Sequence, residues 1–228
     1  MLVIFSLVLS LLVGCAPADF KAVRAGIATG RDQGHYIPEV PFFNQQNLDY
    51  CGPASLAMVL NFWGTRVSQE EVAREVYHPS LKGALTFDLA RYAERQGHPV
   101  RLLEGSLEAV KAEVMAHRPV LVLANLGYRV YPIYHYYVVV GFSEAEKTMI
   151  AHDSAKGENL LIPYRTFSRQ WSLAGAWGMA VLPKPSPSPT HPHGWVPAPP
   201  IKGGETTLIP SPHPSVVASF MGPQGPTR

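Results

Sequence analysis

The chain has 228 residues, with 19 Lys and Arg against 17 Asp and Glu, and the resulting net charge of +2 is spread along its length. There is no basic stripe of the kind nucleic acid demands. The 22 prolines crowd toward the C-terminus, which leaves about 150 residues to build one domain around one core.

In chain order, residues 1–14 are almost wholly apolar. They are too few for a transmembrane helix, which needs about 20, and they suit the apolar region of a secretory signal ending in small residues. The sequence Leu12-Val13-Gly14-Cys15 resembles the lipobox of bacterial lipoproteins. That resemblance implies cleavage before Cys15, lipidation of its thiol and a membrane anchor in the bacterial envelope. Ala16, rather than Asp, behind the cysteine implies the outer membrane, facing the periplasm. No Lys or Arg precedes the apolar run, a departure from the usual signal. Residues 15–35 carry no strong pattern and are expected to be a lipid-anchored linker. Residues 36–182 are expected to form the domain. Residues 183–228 are expected to be a disordered or polyproline tail, because proline removes amide donors and fixes the backbone.

Within the domain, the prolines of residues 37–43 predict an extended segment, and residues 44–49 a polar loop. Cys51-Gly52-Pro53 then opens a helix, since proline at a first turn costs no hydrogen bond. Leu56, Met58, Val59, Leu60, Phe62 and Trp63 are too evenly apolar for a surface helix, so this one is predicted to be buried on most sides. Gly64 stands where a helix stop is expected. Ser68-Gln69-Glu70-Glu71 reads as a capping box opening a second helix, with Val72, Val76 and Tyr77 toward the core. A third helix starts at Thr86 and runs through Phe87, Leu89, Ala90, Tyr92 and Ala93 to a stop at Gly97. A fourth covers residues 106–117 and presents Leu107, Val110, Val114 and Met115. The period then changes. Residues 119–124 and 136–142 are short apolar runs rich in β-branched residues, which predicts central strands. Residues 148–152, 159–163 and 177–182 complete a predicted sheet of about five strands. Helices first and an antiparallel sheet after them make an α+β domain.

With Cys15 assigned to the lipid, Cys51 has no disulfide partner within the chain, and an unpaired thiol in an exported protein is a candidate nucleophile. Its position at a helix N-terminus favours an anion, because unpaired amides and aligned peptide dipoles point there. A nearby histidine would take the thiol proton. A backbone N–H at the helix start and a side-chain amide, Gln45 or Gln46, are candidates for donors to a developing oxyanion. Among the nine histidines, His191, His193 and His213 fall in the tail, His35 in the linker, His78 and His98 in loops and His117 at a helix end. His135 directly precedes the strand beginning at Tyr136, where a rigid element can hold an imidazole. In an antiparallel hairpin the end of the second strand returns beside the start of the first. Asp153 is therefore expected near His135, able to hold its other nitrogen, and His152 should face the opposite side by strand alternation.

Gln45, five intervening residues, Cys51-Gly52-Pro53-Ala54-Ser55-Leu56-Ala57-Met58, then His135-Tyr136-Tyr137-Val138-Val139-Val140-Gly141 and Asp153 together resemble the papain-like double-glycine peptidases, the bacteriocin-processing family. The resemblance covers about residues 38–182. It implies a papain-like fold, Cys51 as nucleophile, His135 as base, Asp153 as its orienter, and an oxyanion hole of Gln45 with the Cys51 amide; the family spacing selects Gln45 over Gln46. Its implied substrate is a peptide or protein, with no cofactor. No HExxH, CxxC or P-loop motif appears, so the residues imply neither a metal site nor a fused ATPase. The family's role in leader-peptide cleavage beside a transporter is not carried over to an exported chain. Ser154 also stands where the family commonly has proline. Two other functions fit the same residues: a peptide-binding lipoprotein with a vestigial site, and a transglutaminase-like acyl transferase.

Overall fold

The structure, a computed structural model, describes residues 19–103 and 105–185. The expected signal segment, Cys15 and nearly all of the expected tail lie outside the described residues. Six helices are described: α1 (Phe20–Ala28), α2 (Cys51–Phe62), α3 (Gln69–Val76), α4 (Thr86–Arg95), α5 (Leu107–Met115) and α6 (Tyr164–Ser172). The strands are β1 (His35–Tyr36), β2 (Tyr77–His78), β3 (Gly83–Ala84), β4 (Val100–Leu102), β5 (Val120–Asn125), β6 (Tyr134–Ser143), β7 (Thr148–Asp153), β8 (Gly157–Pro163) and β9 (Gly178–Val181). The domain is α+β, as the sequence predicts.

The main sheet is antiparallel, in the order β4-β9-β5-β6-β7-β8, with β1 added against β6. It has seven strands rather than about five. The two extra strands, β1 and β4, are two and three residues long, too short for alternation to register in the sequence. β2 and β3 form a separate hairpin.

Helix α2 behaves as its composition dictates. Nine consecutive residues, Gly52 to Leu60, are buried, because α3 and α4 cover it on one side and β6 on another. Gly64 follows it at φ +81°, the left-handed conformation that glycine adopts without strain. The capping box of α3 is present in full. Ser68 Oγ accepts from the Glu71 amide, and Glu71 accepts from the Ser68 amide. Two apolar residues of the later helices lie at the surface. Phe87 is 64% exposed and Met115 65%, since Phe87 lies on the outer face of α4 beneath the Arg91 guanidinium and Met115 ends α5.

The expected linker is also corrected. Residues 20–28 form α1, and its Phe20 ring meets the Tyr36 ring edge-on at 5.3 Å. His35, expected in the linker, belongs to β1 and pairs with Phe142. Beyond α1, the buried Asp32 accepts hydrogen bonds from the amides of Gly34, Glu144 and Ala145 and from the Ser143 hydroxyl. The contacts with Ser143, Glu144 and Ala145 cross more than a hundred positions in sequence, so no local pattern announces them.

Burial alone would raise the Asp32 pKa, but the Ser143 hydroxyl and three amides hold it below its ordinary value. A carboxylate with a lowered folded pKa stabilises fully above its unfolded value of about 3.9, and that contribution is lost as pH falls through the folded value. Asp32→Ala is expected to cost about 2–4 kcal/mol in urea unfolding at pH 7, because buried donors lose their acceptor. The difference from wild type should narrow under acid. A variant as stable as wild type at pH 7 would show that this corner does not belong to the cooperative unit.

Candidate active site

Cys51 is the first residue of α2 and half-buried. Tyr50 precedes it as N-cap without any side-chain cap, and the first turn contains no acidic residue. The opening amides of the helix, which lack intrahelical acceptors, are therefore not capped by side chains. The backbone at Gly52 is closely covered. A Cβ there would stand 3.1 Å from the Ala84 Cβ and 3.2 Å from the Tyr136 ring. Glycine thus lets the start of α2 settle against β6 and the β2–β3 hairpin. The Tyr136 hydroxyl ties the same hairpin down by donating to the Ala84 carbonyl at 3.0 Å.

His135 is the second residue of β6, 8% exposed, and lies opposite Ala124 of β5. β6 and β7 pair Val138 with His152. The next position brings Asp153 beside Tyr137, two residues from His135 and so on the same face of the pleat. His135 Nε2 and Asp153 Oδ1 are 2.8 Å apart. The Cys51 thiol lies near enough to the same imidazole to raise its pKa. With Nε2 engaged by Asp153, Nδ1 is the nitrogen left for sulfur. The Tyr137 ring packs edge-on against the imidazole at 5.2 Å and leaves it little room to turn.

The electrostatics follow from these partners. Burial alone would lower the His135 pKa, but the Asp153 hydrogen bond and then the Cys51 contacts outweigh it and push it up to about 9. Burial would raise the Asp153 pKa, yet the His135 hydrogen bond and charge, the Ala155 amide and Lys156 hold it below its ordinary value. Asp153 Oδ1 also accepts from the amides of Ala155 at 2.9 Å and Lys156 at 3.2 Å, which fixes the turn after β7. The Asp153 contribution to stability is lost as pH falls below the unfolded carboxylate value. The His135 contribution is full below about 6.5 and lost as pH rises to about 9.

His152 faces away from the site, as alternation predicts. Its Nε2 is 3.2 Å from the Val40 carbonyl, and its Nδ1 accepts from the Asn159 amide at 3.2 Å. That pattern holds a neutral ring, and burial keeps its pKa below the usual value. His98 is buried between the Thr65 hydroxyl and the Leu182 carbonyl. His78 pairs with Asp88 at 2.7 Å, and His117 lies 3.4 Å from Glu39. Among the described residues, no group of three or more His, Cys, Asp or Glu side chains could hold a metal ion.

Gln45 and Gln46 part company. The Gln46 amide donates to Gln69, whereas Gln45 is bonded to the turn that carries Asp153. The Gln45 amide donates to the Ser154 carbonyl at 2.9 Å, and Gln45 Oε1 accepts from the Ser154 hydroxyl at 2.9 Å. Gln45 Nε2 donates to the Asn47 and Leu48 carbonyls at 3.1 and 2.6 Å, so it faces the turn leading into Cys51. The sequence alone assigns no role in the site to Ser154 or Tyr137. Ser154 enters through a contact with Gln45, 109 positions away, and Tyr137 through the strand pleat that sets it on the same face as His135.

Exposed apolar side chains stand close in sequence to residues of the site. Leu85 and Phe87 follow Ala84, which touches Gly52, and Tyr131, Ile133 and Tyr134 lead into His135.

The profile of the Peptidase_C39 like family matches residues 37–179, and no curated protein matches the chain. Three solved structures are similar in fold. A C39-like peptidase from Bacillus anthracis aligns over 68% of this chain and 100% of its own, with a TM-score of 0.57 and 17% identity. The peptidase domain of Streptococcus ComA, a bifunctional ABC transporter in a quorum-sensing pathway, aligns over 63% of this chain and 98% of its own, at TM-score 0.51 and 19% identity. A double glycine motif protease from an AMS/PCAT transporter, solved with its leader peptide, aligns over 66% and 95%, at TM-score 0.50 and 23% identity. The family match spans more than half of the sequence and contains Gln45, Cys51, His135 and Asp153, and by that match this chain belongs to the Peptidase_C39 like family.

Proposed function

We propose that this protein is a cysteine peptidase in which Cys51 is the nucleophile, His135 the acid–base and Asp153 its orienter. The observation carrying this reading is the hydrogen-bonded imidazole–carboxylate pair of His135 and Asp153 with the Cys51 thiol acting on the same imidazole, assembled from a helix start, a strand start and a strand end. His135 takes the thiol proton, and the sulfur attacks the scissile carbonyl carbon to form a C–S bond. The oxyanion is met by amides at the start of α2 and by Gln45 Nε2, once that amide releases a loop carbonyl. As the intermediate collapses, the C–N bond breaks and His135 gives its proton to the leaving amine. Water then adds to the thioester with His135 as base, releasing the acid and restoring the thiol. The exposed apolar residues next in sequence to Ala84 and His135 support a peptide substrate.

The proton balance of His135 supplies the test. Hydrolysis of a quenched-fluorescent mixture of random-sequence peptides should fall as pH rises through about 9, where His135 loses the proton meant for the leaving amine. Asp153→Asn keeps an acceptor for His135 but removes the charge. It should move that limb to lower pH and reduce the maximal rate by about tenfold, a loss of orientation rather than of chemistry. A limb that stays in place in Asp153→Asn would remove Asp153 from the mechanism.

A further inference from the structure

Ser154 is buried, 1% exposed, in the turn between β7 and β8. The turn is fixed from both sides. The Lys156 amide donates to the Asp153 carbonyl at 3.1 Å, and Asp153 Oδ1 accepts from the amides of Ala155 and Lys156. From that rigid position Ser154 reaches 109 residues back along the chain to Gln45 through two hydrogen bonds, one from its hydroxyl and one to its carbonyl. The hydroxyl bond sets the direction of the Gln45 amide. A hydroxyl that donates to Oε1 leaves the NH2 end pointing the other way, toward the Asn47 and Leu48 carbonyls and the turn leading into Cys51. A Gln side chain without this partner has several rotamers and two amide orientations available, and only some of them aim Nε2 at an oxyanion.

We propose that Ser154 is a positioning residue for the oxyanion donor: it clamps Gln45 with its NH2 end toward the nucleophile and joins the oxyanion hole to the turn that orients His135. The proposal rests on the nucleophile and oxyanion roles given under Proposed function. It assigns the residue after the orienting carboxylate to the other half of the site. One short turn then serves both halves, with Asp153 holding the base and Ser154 holding the electrophilic donor.

Two reactions of Cys51 separate these halves, and both can be run on the full chain. Alkylation by iodoacetamide forms an S–C bond and expels iodide without any oxyanion, so it reports the thiol–imidazole pair alone. Acylation by p-nitrophenyl acetate forms an S–C bond through a tetrahedral oxyanion and expels p-nitrophenolate, so it needs the donors. Ser154→Ala is expected to slow the acylation burst by about 10- to 100-fold, short of the full loss of a donor. Its alkylation rate and the pH profile of alkylation should remain at wild-type values. Gln45→Ala should lose at least as much acylation, and the Gln45→Ala/Ser154→Ala double variant should acylate no more slowly than Gln45→Ala, because the clamp acts only through that amide.

Wild-type acylation in Ser154→Ala would overturn the proposal. Equal losses of acylation and alkylation would also overturn it, by reducing Ser154 to a structural role. A double variant slower than Gln45→Ala by the full Ser154→Ala factor would show that Ser154 acts elsewhere. Failure of the underlying reading looks different: Cys51 of the wild-type protein would then react with neither reagent.

Discussion

Cys51→Ala should abolish peptide hydrolysis, with a loss on the order of 10⁴-fold or more, because the acyl-enzyme route has no substitute nucleophile. The fold should survive the change. Sulfur occupies a half-buried position at the edge of the core, and its removal is expected to alter stability by only about 1 kcal/mol. Matching circular dichroism and urea midpoints would establish that loss of activity is loss of chemistry. Residual cleavage above about one per cent of wild type would exclude Cys51 as the nucleophile.

His135→Ala should fall nearly as far, on the order of 10³-fold, since one side chain both accepts the thiol proton and protonates the leaving amine. This variant should also be less stable. It strands Asp153, which is fully buried and already has Oδ2 without a hydrogen-bond donor. Amides of Ala155 and Lys156 still reach Oδ1, so the expected cost is about 1–3 kcal/mol at pH 7. The cost should shrink as pH approaches about 9, where wild-type His135 itself loses its charge. His135→Gln, which can still donate to Asp153, separates the two effects: its stability should recover and its activity should not. Full activity in either variant, read with the peptide mixture, would assign the base to another group.

Much of the geometry of this candidate site is legible in the sequence. A lone thiol at the head of an apolar helix, a histidine at the head of an apolar strand and an aspartate at the end of the returning strand are each local patterns. Antiparallel pairing then brings the last two together. The register between β6 and β7 completes the argument, since Val138 opposite His152 puts Asp153 and His135 on one face.

What the sequence concealed depends on contacts between distant segments. Ser154 and Gln45 meet across 109 positions, and neither has a neighbour pattern that names the other. The same holds for Asp32, whose partners on β6 and beyond turn an apparent linker into part of the domain. Helix α6 is hard to read from the sequence for a different reason. Its two buried residues, Phe167 and Trp171, stand four apart among polar neighbours, a narrow stripe on a short helix. Phe87 is the opposite case, an aromatic at helical spacing that lies under Arg91 at the surface instead of entering the core.

The central claim is that the fold makes Cys51 a nucleophile, beyond merely housing a thiol. The most direct measurement compares the labelling rate of the native full chain by a peptidyl chloromethyl ketone with that of the urea-unfolded chain, with adducts mapped by tandem mass spectrometry. The site described here predicts a single adduct on Cys51, formed at least about tenfold faster in the native protein than in the unfolded one, because thiolate fraction and positioning by His135 both depend on folding. Native labelling no faster than that of the unfolded chain would contradict it and would leave this protein a peptide-binding member of its family with a silent site.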